Sequence, residues 1–113
     1  MEQMYIATDF STDKRDAAGL WYDSKIGFTN NVDKRLSQLQ TSRPNLCIVW
    51  ATETTRKQEL QLHRALAAGA PATVAHHSRE WYWMHEDVFT MHPEGFVLLS
   101  AGFRQLITGM LYE

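Results

Sequence analysis

Several features that mark common protein classes are scarce in this sequence. Its 113 residues contain one cysteine, three prolines and six glycines, and the formal net charge is −2. A single cysteine excludes a disulfide framework and a zinc ribbon. Because Cys47 lies in an apolar run, we expect it to be a buried thiol of the core. The near-balanced charge predicts no general attraction to nucleic acid.

Long apolar runs are also missing. No run reaches the length that a membrane-spanning helix needs, and the first residues lack the basic segment of a signal peptide. We therefore expect no membrane partner and a reducing cytoplasm, in a bacterium or a phage-infected host cell. Hydrophobic residues make up 44% of the chain and aromatic residues 12% of it, which is enough for one core.

One stretch has the clearest pattern, and it combines a strand, a turn and a helix. Residues 25–29 alternate as a half-buried strand does, and Asn31 suits a helix N-cap. Apolar residues then recur at i, i+4 and i+7 from Val32, until Pro44 ends the helix. Arg35 lies roughly 60° from the centre of this apolar stripe. Its side chain can lie over the preceding strand or keep its guanidinium group in water.

A second helix carries two polar residues in its apolar stripe. Thr55 and Gln58 form a weak capping box, and the helix is predicted to run to about residue 68. Glu59 and His63 lie one turn apart near the centre of the apolar face. A carboxylate there needs a cation, a metal or several donors. The pattern predicts either a functional site or a buried pair, for example with Arg35, beside a satisfied core histidine.

The rest of the chain is assigned more coarsely. Residues 4–8 and 46–52 are predicted as strands, residues 9–19 and 70–78 as loops, and residues 80–83 as a short strand or turn. Mixed spacings of three and four from Gly95 onward predict a C-terminal amphipathic helix. His76, His77 and Glu80 are a possible zinc set, although their spacing is not that of a helical metal motif, and a solvated loop is the alternative.

Together these residues resemble a known family. Tyr5 in a first strand, Lys25-Ile26-Gly27 in a second, Arg35 in the next helix and Glu59-x-x-x-His63 in the following one resemble the GIY-YIG nuclease superfamily. The likeness is greatest to its T5orf172 or MUG113 type and covers about residues 4–83. It implies an α+β fold with a small three-stranded antiparallel sheet flanked by helices. Residues 1–90 would form this nuclease domain, and residues 91–113 its C-terminal helical extension.

The resemblance also implies catalytic roles. Tyr5 would activate or position the attacking water, and Lys25 would lower the pKa of Tyr5 or contact the phosphate. Gly27 would allow close approach of the backbone. Arg35 would hold the phosphate and stabilise the developing charge. A tyrosine with its ordinary pKa is a poor base at neutral pH, so the resemblance requires positive charge nearby.

Further roles concern the metal and the substrate. Glu59 would bind one divalent ion, Mg²⁺ or Mn²⁺, on the leaving-group side. His63 would orient water or Glu59, and Arg43 and Trp81 are weaker candidates for substrate binding. The implied activity is metal-dependent hydrolysis of DNA phosphodiester bonds. The alternative is a binding module of the same fold with little or no turnover, acting on a protein or nucleic-acid partner, or dimerising through its C-terminal helix.

Overall fold

A long antiparallel hairpin forms the centre of the structure, a computed structural model that describes residues 1–69 and 71–112. Its two strands are β1 (Gln3–Asp16) and β2 (Gly19–Thr29). Gly19 has a φ of 130°, which suits glycine at the tip of the hairpin. The loop predicted for residues 9–19 is therefore wrong. Its polar residues form the outer arms of the hairpin, where exposed strands need no apolar alternation.

The central sheet has five strands, not the three that were predicted. Its order is β3-β1-β2-β5-β4, and all neighbouring strands are antiparallel. β3 is Leu46–Glu53, β4 is Val74–Ser78 and β5 is Trp81–His85. The predicted α+β class is confirmed. The loop predicted over residues 70–78 is wrong where the chain forms β4, because exposed polar side chains follow Val74 in that strand; residue 70 itself lies outside the described residues.

Two helices begin close to their predicted positions. α1 (Val32–Leu39) is capped by the Asn31 side chain, which accepts a hydrogen bond from the Lys34 amide at 3.0 Å. α2 (Arg56–Ala67) begins with the predicted capping box of Thr55 and Gln58. Both caps satisfy backbone N–H groups that have no partner inside the helix.

The C-terminal part differs from the expected helix. A short 3-10 turn, Glu86–Val88, leads into a two-stranded sheet of β6 (Phe89–Met91) and β7 (Val97–Leu99). α3 (Ala101–Leu111) begins only after this pair, with Ser100 as its N-cap. The prediction that helix starts at Gly95 is wrong, because the apolar run that follows Gly95 pairs as a strand. α3 itself covers the core.

Apolar side chains pack on both faces of the central sheet. The larger cluster joins Met4, Ile6 and Ile26 to side chains of α2 and α3. The smaller cluster contains Tyr5, Ala7 and Leu46 with the apolar side of α1 packed against it. Alternation along β1 therefore directs Tyr5 towards α1 and its neighbours towards α2.

The exposure of Cys47 differs from the prediction. Cys47 was expected to be buried, but it is exposed, because it lies on β3 with its side chain away from both clusters. Among the described residues, no helix is both long and apolar enough to cross a membrane.

Candidate active site

Tyr5 and Gly27 face each other across β1 and β2. The tyrosine ring packs so closely on Gly27 that a β-carbon there would overlap the ring and its hydroxyl. Tyr5 is only 1% exposed. The close approach expected at Gly27 is therefore the approach of a tyrosine side chain to the backbone, which only glycine permits.

The neighbouring strand ends beside this pair. β5 begins opposite Lys25, and the Ile26 amide donates to the Glu80 carbonyl just before β5 starts. The end of β2 from Gly27 onward therefore extends past β5. Side chains from the two faces of the sheet can approach one another at this notch, which we define as the space beside Gly27 where β5 is absent.

The Tyr5 hydroxyl is buried and has no hydrogen-bond partner among the described residues. Its pKa is raised to about 12, chiefly by burial. Arg35 acts against this rise, through its charge and through an approach that falls short of good hydrogen-bond geometry, whereas Glu80 and Glu59 add to it. In the protein alone this pKa is therefore raised and not lowered, because desolvation outweighs one arginine, and a role of Lys25 or the metal ion in lowering it stays a prediction. At neutral pH the hydroxyl is therefore protonated and can donate a hydrogen bond.

Arg35 is presented by α1 above the same face as Tyr5. The residue is exposed, and no ion pair ties its guanidinium within residues 1–69 and 71–112. It borders a cleft of about 150 Å³ whose other walls are Thr29, Asn30, Asn31, Lys34 and Gln38. A free arginine beside a cleft is suited to binding a phosphate group.

A second group of residues is centred on Glu59, and we call it the Glu59 cluster: Arg56, Glu59, His63 and Tyr82. Glu59 is 1% exposed. Its Oε1 accepts a hydrogen bond from Arg56 Nη1 at 3.0 Å, and its Oε2 lies 2.5 Å from His63 Nε2. His63 Nδ1 in turn lies 2.6 Å from the Tyr82 hydroxyl. The predicted burial of Glu59 is confirmed, but its arginine partner is Arg56 and not Arg35.

Tyr82 was not identified as a site residue from the sequence. It is fully buried, and its pKa is raised to about 12 by burial first and then by Glu59 and Glu80. Strand alternation gave the available signal, since Trp81 and Trp83 must point to the opposite face from Tyr82. That alternation directs the Tyr82 hydroxyl towards α2, where His63 was already a candidate.

Lys25 is held by an acidic neighbour. Its Nζ lies 3.0 Å from Glu80 Oε2 and 5.7 Å from the centre of the Trp81 ring. The Lys25 side chain is 15% exposed, so the ammonium group is largely enclosed by these contacts. Lys25 is therefore close to the notch, but in the protein alone its charge is balanced by Glu80.

The predicted substrate residues Arg43 and Trp81 lie in a different network. Its polar members, which we call the Arg43 cluster, are Asp9, Asp23, Arg43 and His77. Arg43 Nη2 lies 3.1 Å from Asp9, and its Nη1 lies 2.9 Å from Asp23. His77 Nε2 approaches Asp23 at 2.7 Å. The guanidinium also stacks on Trp81, with 4.3 Å between Cζ and the ring centre. Arg43 is thus occupied by protein partners.

The possible zinc set is divided among separate partners. His76 Nε2 contacts the Arg79 carbonyl at 2.7 Å, His77 contacts Asp23, and Glu80 contacts Lys25. Within the part of the chain that the structure describes, no three His, Cys, Asp or Glu side chains are grouped as metal ligands. Nothing in this arrangement resembles a closed zinc site.

A single magnesium ion has a simpler requirement, and Glu59 and Tyr5 suit it. Mg²⁺ is commonly held by one or two carboxylates together with substrate phosphates and water. Glu59 supplies one carboxylate, and each of its oxygens retains acceptor capacity beyond the one hydrogen bond it has. The unpaired Tyr5 hydroxyl adds a polar atom with no protein partner. This donor set fits a hard ion that is bound mainly together with its substrate.

Comparison with known proteins gives one result. The family model described as the T5orf172 domain matches residues 2–92, which is most of the chain and includes every residue of both clusters. This domain is related to the GIY-YIG-like nuclease fold and is associated with nuclease-like or DNA-binding roles. No curated protein and no solved structure matches the chain.

Proposed function

We propose that this chain, which belongs to the T5orf172 domain family, is a metal-dependent endonuclease that hydrolyses DNA phosphodiester bonds. The observation that carries the proposal is the unpaired, buried hydroxyl of Tyr5 in the combined field of Arg35, Glu59 and Glu80. Buried polar groups normally have a partner, and one without a partner requires an explanation. A substrate or water that completes the site supplies that explanation.

Glu59 would hold the ion, Mg²⁺ or Mn²⁺, which when bound would offset negative charge on the departing oxygen. The rest of the chemistry belongs to side chains. Arg35 would bind a phosphate oxygen from its exposed position on α1 and stabilise the charge that develops there. Because these cations act on charge that grows during reaction, they favour the transition state over the ground state.

Tyr5 would position the attacking water and not remove its proton. With a pKa of about 12, its hydroxyl is protonated at neutral pH and donates a hydrogen bond. A donor held rigidly against Gly27 orients the water with little loss of freedom during the reaction. Lys25 would contact the phosphate only by leaving its ion pair with Glu80.

A specific observation favours a second candidate, a DNA- or protein-binding module with no turnover. Both oxygens of Glu59 already accept protein hydrogen bonds, and the side chain is almost fully buried. If Arg56 and His63 keep these contacts when a ligand arrives, the ion has no access and the site binds without cleaving. The net charge of −2 also gives no general attraction to DNA.

A cleavage assay distinguishes the two candidates. Supercoiled plasmid and single-stranded DNA would be incubated with the protein in Mg²⁺, Mn²⁺ or EDTA, alongside Glu59→Gln and Arg35→Ala. We expect metal-dependent cleavage that falls by about 10²- to 10³-fold in either variant, since each removes a charge that acts on the transition state. Circular dichroism would verify that the variants are folded.

Matched controls remove charges elsewhere. Glu94→Gln replaces an exposed glutamate beyond the matched family region, and Arg64→Ala replaces an exposed arginine of α2. Both controls should cleave like the unmodified protein. Full activity in Glu59→Gln would exclude the metal role of Glu59. Absence of cleavage on every substrate, with a folded protein that still binds DNA or a protein partner, would favour the binding module.

A further inference from the structure

Three side chains from α2 and β5 form a continuous buried chain of contacts. Glu59 Oε2 lies 2.5 Å from His63 Nε2, and His63 Nδ1 lies 2.6 Å from the Tyr82 hydroxyl. Glu59 and Tyr82 are 1% and 0% exposed, and the His63 side chain is 15% exposed. Both ring nitrogens of His63 are therefore engaged by protein atoms, one at each end of the chain.

The position of each hydrogen follows from what the two ends can offer. The hydroxyl of the buried Tyr82 contacts only His63 Nδ1 among the hydrogen-bonding groups of the described residues. A buried hydroxyl hydrogen needs an acceptor, so Nδ1 must present its lone pair. The Glu59 carboxylate can only accept, so His63 Nε2 must carry a hydrogen and donate it.

The opposite assignments leave groups unsatisfied. With the hydrogen on Nδ1 alone, the lone pair of Nε2 would face the Glu59 carboxylate at 2.5 Å, which places two acceptors in contact. With hydrogens on both nitrogens, the Tyr82 oxygen would accept and its own hydrogen would have no acceptor. Burial and the nearby carboxylates raise the pKa of Tyr82 to about 12, so its hydrogen is present at neutral pH.

We propose that Tyr82 is a positioning residue that fixes His63 in the form with hydrogen on Nε2, and that His63 in turn fixes the orientation of the Glu59 carboxylate. The part of this inference that concerns metal binding rests on the proposed function. Residues that hydrogen-bond to a metal ligand set its orientation, and their loss typically costs 10- to 100-fold in metal affinity or activity.

This assignment changes the role of His63. A general base needs a free lone pair within reach of the water, and here the Nδ1 lone pair is used by Tyr82 while Nε2 carries hydrogen. His63 therefore orients Glu59 and does not take a proton from water. Of the two roles expected from the sequence, orienting water or orienting Glu59, the second is the one assigned.

The first test reads the hydrogen positions directly and needs no catalytic activity. Nitrogen-15 NMR of the metal-free protein would show which ring nitrogen of His63 carries hydrogen, with a His63→Ala variant to identify its signals. We expect hydrogen on Nε2 and a hydrogen-bonded, unprotonated Nδ1. In Tyr82→Phe the Nδ1 signal should move, because its donor is gone. Hydrogen on Nδ1 in the unmodified protein, or an unchanged His63 spectrum in Tyr82→Phe, would overturn the proposal.

The second test measures coupling between Tyr82 and His63. Mn²⁺ dissociation constants would be determined by calorimetry, in the presence of a cleavage-resistant DNA, for the unmodified protein, Tyr82→Phe, His63→Ala and the double variant. We expect about 10-fold weaker binding in Tyr82→Phe and almost no further loss when it is added to His63→Ala, because the hydroxyl acts only through the ring. Equal losses in both backgrounds would show that Tyr82 does not act through His63.

A matched control removes a hydroxyl from another aromatic cluster. Tyr22 packs against Phe10 and Phe89, with ring centres 5.0 and 5.9 Å away, and Tyr22→Phe should bind Mn²⁺ unchanged. If the unmodified protein binds no Mn²⁺ even with DNA present, the proposed metal-dependent function fails. The NMR result then still decides whether Tyr82 fixes His63, so the two failures are distinguishable.

Discussion

The Arg43 and Glu59 clusters contain the same kinds of side chain in different arrangements. Each has a buried carboxylate, an arginine and a histidine. The Arg43 cluster joins residues far apart in the sequence, with one guanidinium between two carboxylates. The Glu59 cluster takes its arginine and histidine from the same helix, three residues before and four residues after Glu59. The Arg43 cluster holds separate segments of the chain together, whereas the Glu59 cluster fixes the position of one carboxylate.

Exposure separates the two clusters further. The Arg43 side chain is 26% exposed, and that of Arg56 is 57% exposed. Arg56 therefore meets one buried carboxylate from the solvent side, whereas Arg43 bridges two buried aspartates and its departure would leave both without their shared cation. Of the two clusters, the Glu59 cluster is the one whose charge acts on a hydroxyl that has no partner among the described residues, that of Tyr5. Composition alone thus does not distinguish a structural clamp from a site; exposure and unsatisfied neighbours do.

The largest expected effect breaks the Arg43 cluster. Arg43→Ala would leave Asp9 and Asp23 buried without their shared cation, and we expect a loss of about 3 kcal/mol in the free energy of unfolding. We expect a smaller loss in Arg56→Ala, because only one carboxylate loses its cation there and the His63 hydrogen bond to Glu59 remains. Urea denaturation of both variants measures the difference.

Arg15→Ala serves as the control for these two variants. It removes an exposed arginine of β1, the strand that carries Asp9, and should leave the free energy of unfolding unchanged. Suppose instead that Arg43→Ala were as stable as the unmodified protein but bound DNA weakly. Arg43 would then be a substrate residue, as the sequence first indicated, and the contrast between the clusters would be lost.

A smaller effect concerns the acid sensitivity of the Arg43 cluster. Burial alone would raise the pKa of Asp9, but hydrogen bonds from Ser11, Arg43 and Thr12 outweigh it and leave the pKa lowered. A lowered pKa stabilises the fold above the unfolded pKa of about 3.9, and this contribution is lost as pH falls through the lowered value. We expect unfolding free energies to decrease from pH 6 to pH 3, and to decrease less in Ser11→Ala.

Comparison of the two slopes isolates Asp9, because other carboxylates titrate alike in both proteins. Ser37→Ala, an exposed serine of α1, is the matched control and should keep the slope of the unmodified protein. Identical acid dependence in Ser11→Ala and the unmodified protein would remove Ser11 as a cause of the lowered pKa.

The smallest expected change in stability has the opposite sign. Tyr5→Phe removes a buried hydroxyl with no partner, so we expect a gain of up to about 1 kcal/mol together with loss of cleavage. Tyr82→Phe, which removes a hydroxyl that is hydrogen-bonded to His63, should instead lose stability. Thermal unfolding of the two variants gives the comparison, and a destabilised Tyr5→Phe would mean that the hydroxyl has a partner in solution.

The sequence predicted the parts of the fold that depend on local pattern. The starts of α1 and α2 follow from their caps at Asn31 and Thr55, and the burial of Glu59 follows from its place in an apolar stripe. β4 could not be found in this way, because most of its side chains are exposed and its pairing partner, not its own pattern, makes it a strand. The late start of α3 has the same cause in the pairing of β6 and β7.

The sequence predicted which residues belong to the candidate site better than it predicted their contacts. A one-dimensional pattern places Tyr5 and Arg35 near each other but does not decide which cation meets Glu59. Local geometry favoured Arg56 over Arg35, since three residues along a helix bring two side chains together. The pKa of Tyr5 is raised in the protein alone, which the sequence could not indicate, because it shows nearby charges but not the extent of desolvation.

The packing of Tyr5 on Gly27 has a consequence for anyone who redesigns this domain. Since the ring fills the volume that a β-carbon would need, the two positions cannot be randomised separately in a variant library. A larger residue at 27 becomes acceptable only with a smaller one at 5, and that exchange removes the phenol. In combinatorial terms the two positions behave as a single site, with far fewer functional solutions than two independent ones.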